Sequence, residues 1–232
     1  MKIDVVIPSI GRVKKLENCL NSIFHSAKDI RLSIYLYFSL PSEYQYFLTQ
    51  FRNLPEITPI LLENYRVPDF WNSHLRNTNT DVMCYLNDDV LVDRDLFKVV
   101  MKEFYNKFPD YDGVIGFRQT NIPKDSTVEG AFGAIGIKYA DRFPKRQVFA
   151  PCYERFYADF ELWKYASLIN RFYFSDLAML THLHPMGNKE LEDDTHRLVR
   201  QWLPVDRQTH KQRQAQGLLW GKDFTLLTRT LE

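Results

Sequence analysis

The chain has 232 residues, a length that suits one generous α/β domain with a substantial buried core. Hydrophobic residues make up 45% and charged residues 25%, and these values exclude a disordered chain, a collagen-like chain and a coiled coil. Thirty basic and 29 acidic residues leave a net charge of +1. A chain so balanced has no bulk electrostatic attraction to DNA or to anionic lipid.

The first half of the chain alternates predicted strands and helices. Strands are predicted at 3–8, 31–40, 57–62 and 81–86, with helices at 13–24 and 69–76 and a helix or loop at 43–54. This order favours a mostly parallel sheet that is covered by helices on both faces. Ligands of such sheets bind at the carboxyl ends of the strands.

The second half of the chain is less regular. A helix is predicted from Asp93 or Asp95 onward, and further elements follow as strands at 112–117, 131–137 and 172–180 and a helix at 157–168. The Gly-rich strand at 131–137 is expected to pack closely against another backbone. From Gly187 onward the sequence is polar, charged and Gln-rich, and no element is predicted there.

The cysteines and the amino terminus bear on the cellular compartment. Cys19, Cys84 and Cys152 are widely spaced and form no CxxC pair, a pattern typical of reduced thiols rather than of a disulfide framework. The opening MKIDVVIPSIGR carries a charge at Asp4 and only a short apolar run, unlike a secretory signal. No later run has the length of a membrane span. We therefore expect a cytoplasmic protein.

Acidic residues directly follow one of the predicted buried strands. Asn87, Asp88 and Asp89 offer oxygen ligands on a rigid strand end, which suits a hard divalent cation. The same residue types also suit a turn followed by a helix cap. A second acidic pair, Asp159 and Glu161, is typical of a first helical turn, but a single positioned Asp there can also act as a general base on an acceptor hydroxyl.

Histidine and arginine residues complete the set of candidates. His182 and His184 alternate along a predicted extended segment, so both rings lie on one face and can bind a metal; ordinary loop polarity is the alternative. The candidates to hold a pyrophosphate near the carboxyl edge are Arg12, Arg66 and Arg76. The sequence contains neither a P-loop nor a G-x-G-x-x-G fingerprint, which counts against P-loop kinases and ordinary dinucleotide enzymes.

Taken in order, these segments resemble a family 2-type glycosyltransferase with the glycosyltransferase A fold. IDVVIPSIGRVKKLENCLNSI resembles the first strand, turn and helix of that family, and HLRNTNTDVMCYLNDDV resembles its polar helix, buried strand and DXD motif. ADFELW resembles the later E-D-x-D-L block, and THLHP falls where the fold has a third metal ligand. The resemblance covers about residues 1–195.

The resemblance implies a fold and a domain organisation. The fold would be a single α/β domain whose central sheet is mostly parallel and flanked by helices, with a small additional antiparallel element. Residues 1–195 would form the catalytic domain, with a nucleotide-sugar-binding half at 1–90 and an acceptor side carrying the catalytic base at 91–195. Residues 196–232 would be a C-terminal extension of unclear role.

The resemblance also implies roles for residues around the donor. Pro8, Ser9 and Arg12 match the turn under the nucleoside and phosphates. Asn87 matches the first acid of the DXD motif, and Asp88 is its middle residue. The replacement of an acid by Asn87 lowers the charge of the site.

The metal and the base follow from the same comparison. Asp89 matches the metal-binding last acid of DXD, and His182 or His184 matches the final metal ligand, with His182 preferred because it follows the strand directly. Asp159 matches the base that deprotonates the acceptor, whereas Ala158 replaces the Glu that precedes the base in the family. The expected cofactor is Mn2+ or Mg2+, and a ligand set of carboxylate and imidazole slightly favours Mn2+.

The implied activity is the metal-dependent, inverting transfer of a sugar from a nucleotide diphosphate sugar to an acceptor hydroxyl. A saccharide is the first acceptor considered, and a modified base of DNA or another nucleic acid is the second, because aromatic and basic residues interleave at 143–157 and basic residues recur at 197–213. Two other classes remain open. A non-catalytic nucleotide-sugar-binding module is favoured by Asn87 and Ala158, and a nucleotidyltransferase would need a more Gly-rich loop than IPSIGRVKK.

Overall fold

The structure is a computed structural model that describes residues 1–51, 54–63, 66–122, 130–185 and 192–223. Its strands are β1 (Ile3–Ser9), β2 (Leu32–Phe38), β3 (Ile57–Leu61), β4 (Val82–Tyr85), β5 (Val90–Val92), β6 (Val114–Gln119), β7 (Gly133–Gly136) and β8 (Phe172–His182). Its α-helices are α1 (Val13–Ser26), α2 (Pro41–Gln50), α3 (Val67–Asn77), α4 (Leu96–Lys107), α5 (Ile137–Ala140), α6 (Ala158–Leu168), α7 (Asp194–Val199) and α8 (Trp202–Ala215). A 3-10 turn spans Pro144–Arg146.

One mixed sheet runs through the described part of the chain in the order β3-β2-β1-β4-β7-β6-β8-β5. Strands β3, β2, β1 and β4 are parallel neighbours, and β6 is parallel to β8. Strand β7 runs antiparallel to β4 and β6, and β5 runs antiparallel to β8. The predicted fold class is therefore confirmed, with the antiparallel pairs in the middle and at one edge of the sheet.

Helices cover both faces of this sheet, so every residue of β1 is buried. Val5 and Ile7 point into one apolar cluster with residues of α1, α2 and α4. Val6 points into the other cluster, with residues of α3 and α6. The continuous apolar run of β1 follows from this burial on both sides. None of the helices in the described ranges is long and apolar enough to cross a membrane.

The Gly-rich strand β7 lies against neighbouring backbone, as its sequence predicted. A Cβ atom added at Gly133 would lie 2.4 Å from the carbonyl oxygen of Ile115. One added at Gly136 would lie 2.0 Å from the carbonyl oxygen of Tyr111. Because these contacts involve main-chain atoms, only glycine fits at either position.

The structure differs from the prediction at several element boundaries. Helix α3 begins at Val67 with Arg66 at its N-cap and a proline in its first turn, so Asp69 is not the cap. Proline at that position is favoured because its missing N–H has no partner there. The three-residue strand β5 and the helices α7 and α8 were not predicted, because a very short strand and polar helices have weak hydrophobic patterns.

Candidate functional site

Two buried aspartates and an arginine meet at the carboxyl ends of β1 and β4. These strands are parallel neighbours, so the turn after β1 lies beside Asp88 and Asp89, which are 3% and 1% exposed. The Ser9 hydroxyl donates to Asp88 Oδ2 at 2.8 Å. Arg12 Nη1 donates to Asp88 Oδ1 at 3.1 Å and to Asp89 Oδ2 at 2.7 Å. The segments singled out in the sequence therefore form one charged cluster, which we call the donor edge.

The two aspartates of the donor edge differ in ionisation. Burial, followed by the charge of Asp89, raises the pKa of Asp88. Burial also works against ionisation of Asp89, but the imidazoles of His182 and His196 and the guanidinium of Arg12 outweigh it and hold its pKa well below the usual range. Asp89 is therefore the carboxylate that stays anionic next to any cation.

Imidazoles from separate elements surround Asp89. The antiparallel pairing of β5 with β8 sets Val90 opposite His182, and His182 Nε2 lies 3.3 Å from Asp89 Oδ1. His196 of α7 has its Nε2 atom 3.5 Å from Asp89 Oδ2. The His184 ring lies between them, with its centroid 4.9 Å from that of His182 and 4.8 Å from that of His196. Burial first, and then these imidazoles, lower the pKa of His184 to about 4.

The donor atoms around Asp89 suit a divalent cation. Within the described part of the chain, these three buried atoms form no hydrogen bond of good geometry: Asp89 Oδ1, His182 Nε2 and His196 Nε2. The two imidazole nitrogens nevertheless lie 3.3 Å and 3.5 Å from the Asp89 carboxylate. The other ring nitrogen of His182 lies 3.1 Å from Gln119 Oε1; with that oxygen as acceptor, Nε2 of the neutral ring keeps its lone pair. Ligand atoms at ~2.1 Å from a metal lie about 3.0–3.5 Å apart, and the two nitrogen–oxygen pairs at Asp89 are 3.3 Å and 3.5 Å apart.

The side chains around Asp89 match a divalent cation in the type of donor atom and in these two distances, but those that the structure describes do not form a complete set of metal ligands. Across the described ranges, no group of three or more His, Cys, Asp or Glu side chains is already arranged to hold a metal ion. Arg12 also occupies one oxygen of Asp89. Side-chain adjustment around Asp89 would therefore accompany the binding of a cation.

The start of α7 is fastened to the turn after β1. Asp193 caps the helix by accepting the backbone N–H of His196 at 2.8 Å, and it forms ion pairs with Lys15 at 2.6 Å and Arg12 at 3.2 Å. The Thr195 hydroxyl donates to a backbone carbonyl of the turn at 2.9 Å. The ion pairs of Asp193 and the hydrogen bond of Thr195 thus bring His196 to the donor edge, and the capping box fixes the start of the helix.

Asp159 lies in the first turn of α6 and is half-buried. Burial raises its pKa to about 6, partly opposed by backbone N–H groups at the helix start. Burial and then the charge of Asp159 raise the pKa of Tyr85. Tyr85 is the last residue of β4 and lies two residues before Asn87 in the sequence. The charge of Arg155, in the loop before α6, interacts with Asp88 and Asp89. The segment before α6 therefore borders the donor edge.

The two other predicted arginines lie at opposite ends of α3. Arg66 Nε donates to Asp69 Oδ2 at 2.9 Å at the start of α3. Arg76 is exposed in the last turn of this 11-residue helix, which extends ~16 Å. Thr78, just beyond that end, donates to Asp4 Oδ2 at 2.6 Å in the first half of β1. Arg76 therefore lies toward the amino ends of the strands, and the expectation that it lies near the carboxyl edge is wrong.

Two further predicted residues belong to strand ends. Pro8 is a buried member of β1, opposite Tyr37 of β2. Asn87 is half-buried, and its backbone carbonyl lies 3.6 Å from the Cys19 sulfur. Both positions adjoin Ser9 and Asp88, so they lie in the chain segments that build the donor edge.

His196 is the residue that sequence reasoning missed. The segment Glu192-Asp193-Asp194-Thr195-His196 does contain an acidic cap followed three residues later by a side chain that returns to it. That signal predicts a helix start. It does not predict that the helix folds back onto Asp89, since this depends on tertiary packing.

No protein-family model matches the chain, and no curated protein matches it. Among solved structures, S. aureus TarS is similar with a TM-score of 0.60 and 15% identity over 82% of this chain and 38% of that chain. TarS 1–349 in complex with UDP-GlcNAc gives 0.59 and 15% over 78% and 57%. The mannosyltransferase PcManGT from Pyrobaculum calidifontis, in complex with GDP-Man and Mn2+, gives 0.59 and 15% over 78% and 56%.

These similarities concern the fold. The chain spans less than two thirds of the length of each of these structures. Together with the mixed, mainly parallel sheet, they show that the chain has the glycosyltransferase A fold. The fold expected from the resemblance of its motifs is thereby confirmed.

Proposed function

We propose that the protein transfers a sugar from a nucleotide diphosphate sugar to an acceptor hydroxyl, with inversion at the anomeric carbon. The observation that carries the proposal is the pairing of two unlike carboxylates in this fold. Asp89 is held anionic among imidazoles at the donor edge, and Asp159 has a raised pKa at the start of α6. Similar folds were solved with UDP-GlcNAc and with GDP-Man and Mn2+, which supports a donor of this class.

A divalent cation would be held by Asp89 and His182, with His196 as a further ligand and His184 as the alternative from the original pair. The buried oxygen of Asp89 and the buried Nε2 atoms of His182 and His196, which form no well-aligned hydrogen bond within the described residues, support this assignment. Carboxylate with imidazole favours Mn2+ over Mg2+, which prefers oxygen ligands. When bound, such an ion neutralises the charge that develops on the departing diphosphate.

The turn after β1 and the end of β4 would hold the donor. Pro8 and Ser9 shape the turn, Asn87 and Asp88 follow β4, and Arg12 lies between the acids and supplies a guanidinium to the diphosphate. Arg12 now donates to both carboxylates, so donor binding would draw it partly away from them. Arg66 remains a candidate at the start of α3, whereas Arg76 is no longer one.

Asp159 would act as the general base. A pKa of about 6 leaves the carboxylate ionised at neutral pH yet basic enough to accept a proton from the acceptor hydroxyl at Oδ. The hydroxyl oxygen then forms the new glycosidic bond as the bond to the diphosphate breaks. A base on the face opposite the leaving group gives displacement with inversion.

The acceptor is proposed to be a saccharide rather than DNA. The rings of Phe143, Phe149 and Tyr153, expected to border the acceptor, are buried in the core and cannot stack on bases. Several basic side chains at 197–213 have carboxylate partners, including Arg197, Arg200 and Arg213. These pairings weaken the electrostatic case for a nucleic acid.

The test is a screen of nucleotide diphosphate sugars, with and without Mn2+, that follows thermal stabilisation and release of the nucleoside diphosphate. The proposal expects at least one donor to raise the melting temperature by mass action and to be consumed by the wild-type protein. Stabilisation without consumption by any acceptor or by water would instead support a non-catalytic binding module, which Asn87 and the Arg12 contacts favour. Release of a sugar 1-phosphate in place of the nucleoside diphosphate, when pyrophosphate is added to accept the nucleoside monophosphate, would support a nucleotidyltransferase.

A further inference from the structure

One face of α8 contacts the start of α6, which carries Asp159. Asp206, His210 and Arg213 are spaced at i, i+4 and i+7, so they lie on one side of the helix. Asp206 and His210 are 0% and 9% exposed. The sequence predicted for this segment only a C-terminal extension of unclear role with recurrent basic residues. In the structure these side chains contact, in order, the loop before α6, the residue at its N-cap and its first turn.

Asp206 holds the loop before α6. Its carboxylate accepts the backbone N–H groups of Glu154 at 2.9 Å, Arg155 at 2.9 Å and Phe156 at 2.8 Å. Consecutive N–H groups that converge on one anion form a backbone nest, which fixes the path of the chain. The loop therefore enters α6 along a path that Asp206 determines.

His210 holds the residue at the N-cap of α6. That residue, Tyr157, has a left-handed backbone with φ of +70°, a conformation that a bulky side chain adopts only when its surroundings impose it. The His210 ring stacks on the Tyr157 ring with centroids 4.5 Å apart and planes at 13°, and its Nδ1 atom lies 3.2 Å from the Tyr153 hydroxyl. This packing keeps Tyr157 in its strained conformation.

Arg213 holds the first turn of α6. Its guanidinium donates to both oxygens of Glu161, at 2.7 Å and 2.8 Å. The Glu161 carboxylate also accepts the backbone N–H of Trp220 at 2.6 Å. Glu161 is 1% exposed, so its carboxylate is shielded from water. The bidentate contact therefore holds both side chains in one orientation. Glu161, the second acid of the pair predicted with Asp159, therefore attaches the first turn of α6 to α8.

We propose that this face of α8 positions Asp159 for proton transfer, an inference that rests on the proposed function. Asp159 lies between Tyr157 and Glu161 and forms no ion pair of its own within the described chain. The location of its carboxylate is therefore set by the backbone of the first turn. Asp206, His210 and Arg213 fix that backbone from the preceding loop to Glu161.

The test compares Arg213→Met and His210→Ala with His210→Phe, which keeps a ring to stack on Tyr157. The first two variants are expected to lower kcat by about 10- to 100-fold, because small misplacements of a catalytic group have that effect. The donor KM and the affinity for the nucleoside diphosphate should change by less than about threefold. His210→Phe should recover most of the lost kcat.

A control variant separates positioning from general loss of stability. Arg142→Met removes another arginine–carboxylate pair, with Asp112, that involves neither α8 nor the first turn of α6. It should lower the melting temperature while leaving kcat within about threefold of the wild type. Equal losses of kcat in Arg142→Met and Arg213→Met at a temperature where all are folded would overturn the proposal.

A second readout needs no turnover. Carbonyl 13C NMR, assigned with Asp159→Asn, follows the titration of Asp159, whose midpoint is expected near 6 in the wild type. Arg213→Met and His210→Ala should move that midpoint downward, because a loosened helix start admits water to the carboxylate. An unchanged midpoint in folded variants would contradict the positioning role. A wild type that consumes no nucleotide sugar would instead refute the proposed function and leave this readout valid.

Discussion

Asp89 and Asp159 are both carboxylates beside the carboxyl edge of one sheet, but their surroundings push their ionisation in opposite directions. Asp89 lies among Arg12, His182 and His196, and its pKa is lowered. Asp159 is half-buried without an ion pair in the described chain, and its pKa is raised to about 6. The difference teaches that surroundings alone can suit one residue type to the proposed cation binding at one position and to the proposed proton transfer at the other.

The largest expected effect is on turnover. Asp159→Asn keeps the size of the side chain but removes the group that accepts the proton, so the rate of sugar transfer should fall by about 10²- to 10⁴-fold. Donor affinity, measured by calorimetry with a nucleoside diphosphate and Mn2+, should stay near that of the wild type. If transfer by the variant matches the wild type, Asp159 is not the base and the contrast with Asp89 loses its functional meaning.

The next effect is on metal binding. Asp89→Asn removes the anionic charge that is held among the imidazoles, and Mn2+ affinity should fall by about 10- to 100-fold. Calorimetric titration with Mn2+ and the nucleoside diphosphate measures the change. Asp176→Asn, at an exposed carboxylate 3.7 Å from Arg118, is the matched control and should bind as the wild type does. Equal Mn2+ affinity in Asp89→Asn and Asp176→Asn would show that the metal does not bind at Asp89.

A smaller effect distinguishes the histidines. His182→Gln and His196→Gln each remove a nitrogen that lies within 3.5 Å of Asp89, and each should lower Mn2+ affinity by about tenfold. His184→Gln should have a weaker effect, because this ring packs between the other two. The Co2+ absorption spectrum of each variant gives an independent readout. A loss confined to His184→Gln would assign the metal to the sequence-derived alternative and exclude His196.

The smallest effect concerns stability. A carboxyl group whose folded pKa is raised stabilises the protein below its unfolded pKa, near ~4, and loses that contribution as the pH rises through about 6. Asp159→Asn should therefore increase the free energy of unfolding by about 1–2 kcal/mol above pH 6 and change it little below pH 4. Urea unfolding at pH 4 and pH 8 tests this. A variant less stable than the wild type at pH 8 contradicts the raised pKa.

Much of this contrast could be predicted from the sequence, because local patterns determine it. The apolar run before Asn87 predicted a buried strand, so the acids after it were expected at the ligand-binding edge. The acids of ADFELW predicted a helix start. Both positions depend on a few neighbouring residues, and the parallel pairing of β1 with β4 then sets Asp88 and Asp89 beside the turn after β1.

Other parts of the site depend on contacts far apart in the sequence. His196 reaches Asp89 because Asp193 is bound by Arg12 and Lys15, more than 170 residues away, and because Thr195 donates to the turn after β1. The predicted position of Arg76 was wrong because the direction in which α3 crosses the sheet depends on tertiary packing and not on local sequence. The contacts of α8 with α6 join polar side chains that carry no periodic apolar signal.

The central claim is that a cation bound at Asp89 and the carboxylate of Asp159 share one site. Paramagnetic relaxation of the Asp159 carboxyl 13C signal by Mn2+, measured with a nucleoside diphosphate present, tests it most directly. The account predicts strong broadening of this signal in the wild type and its loss in Asp89→Asn. An Asp159 signal that remains sharp in the wild type at saturating Mn2+, or broadens equally in Asp89→Asn, would contradict the claim.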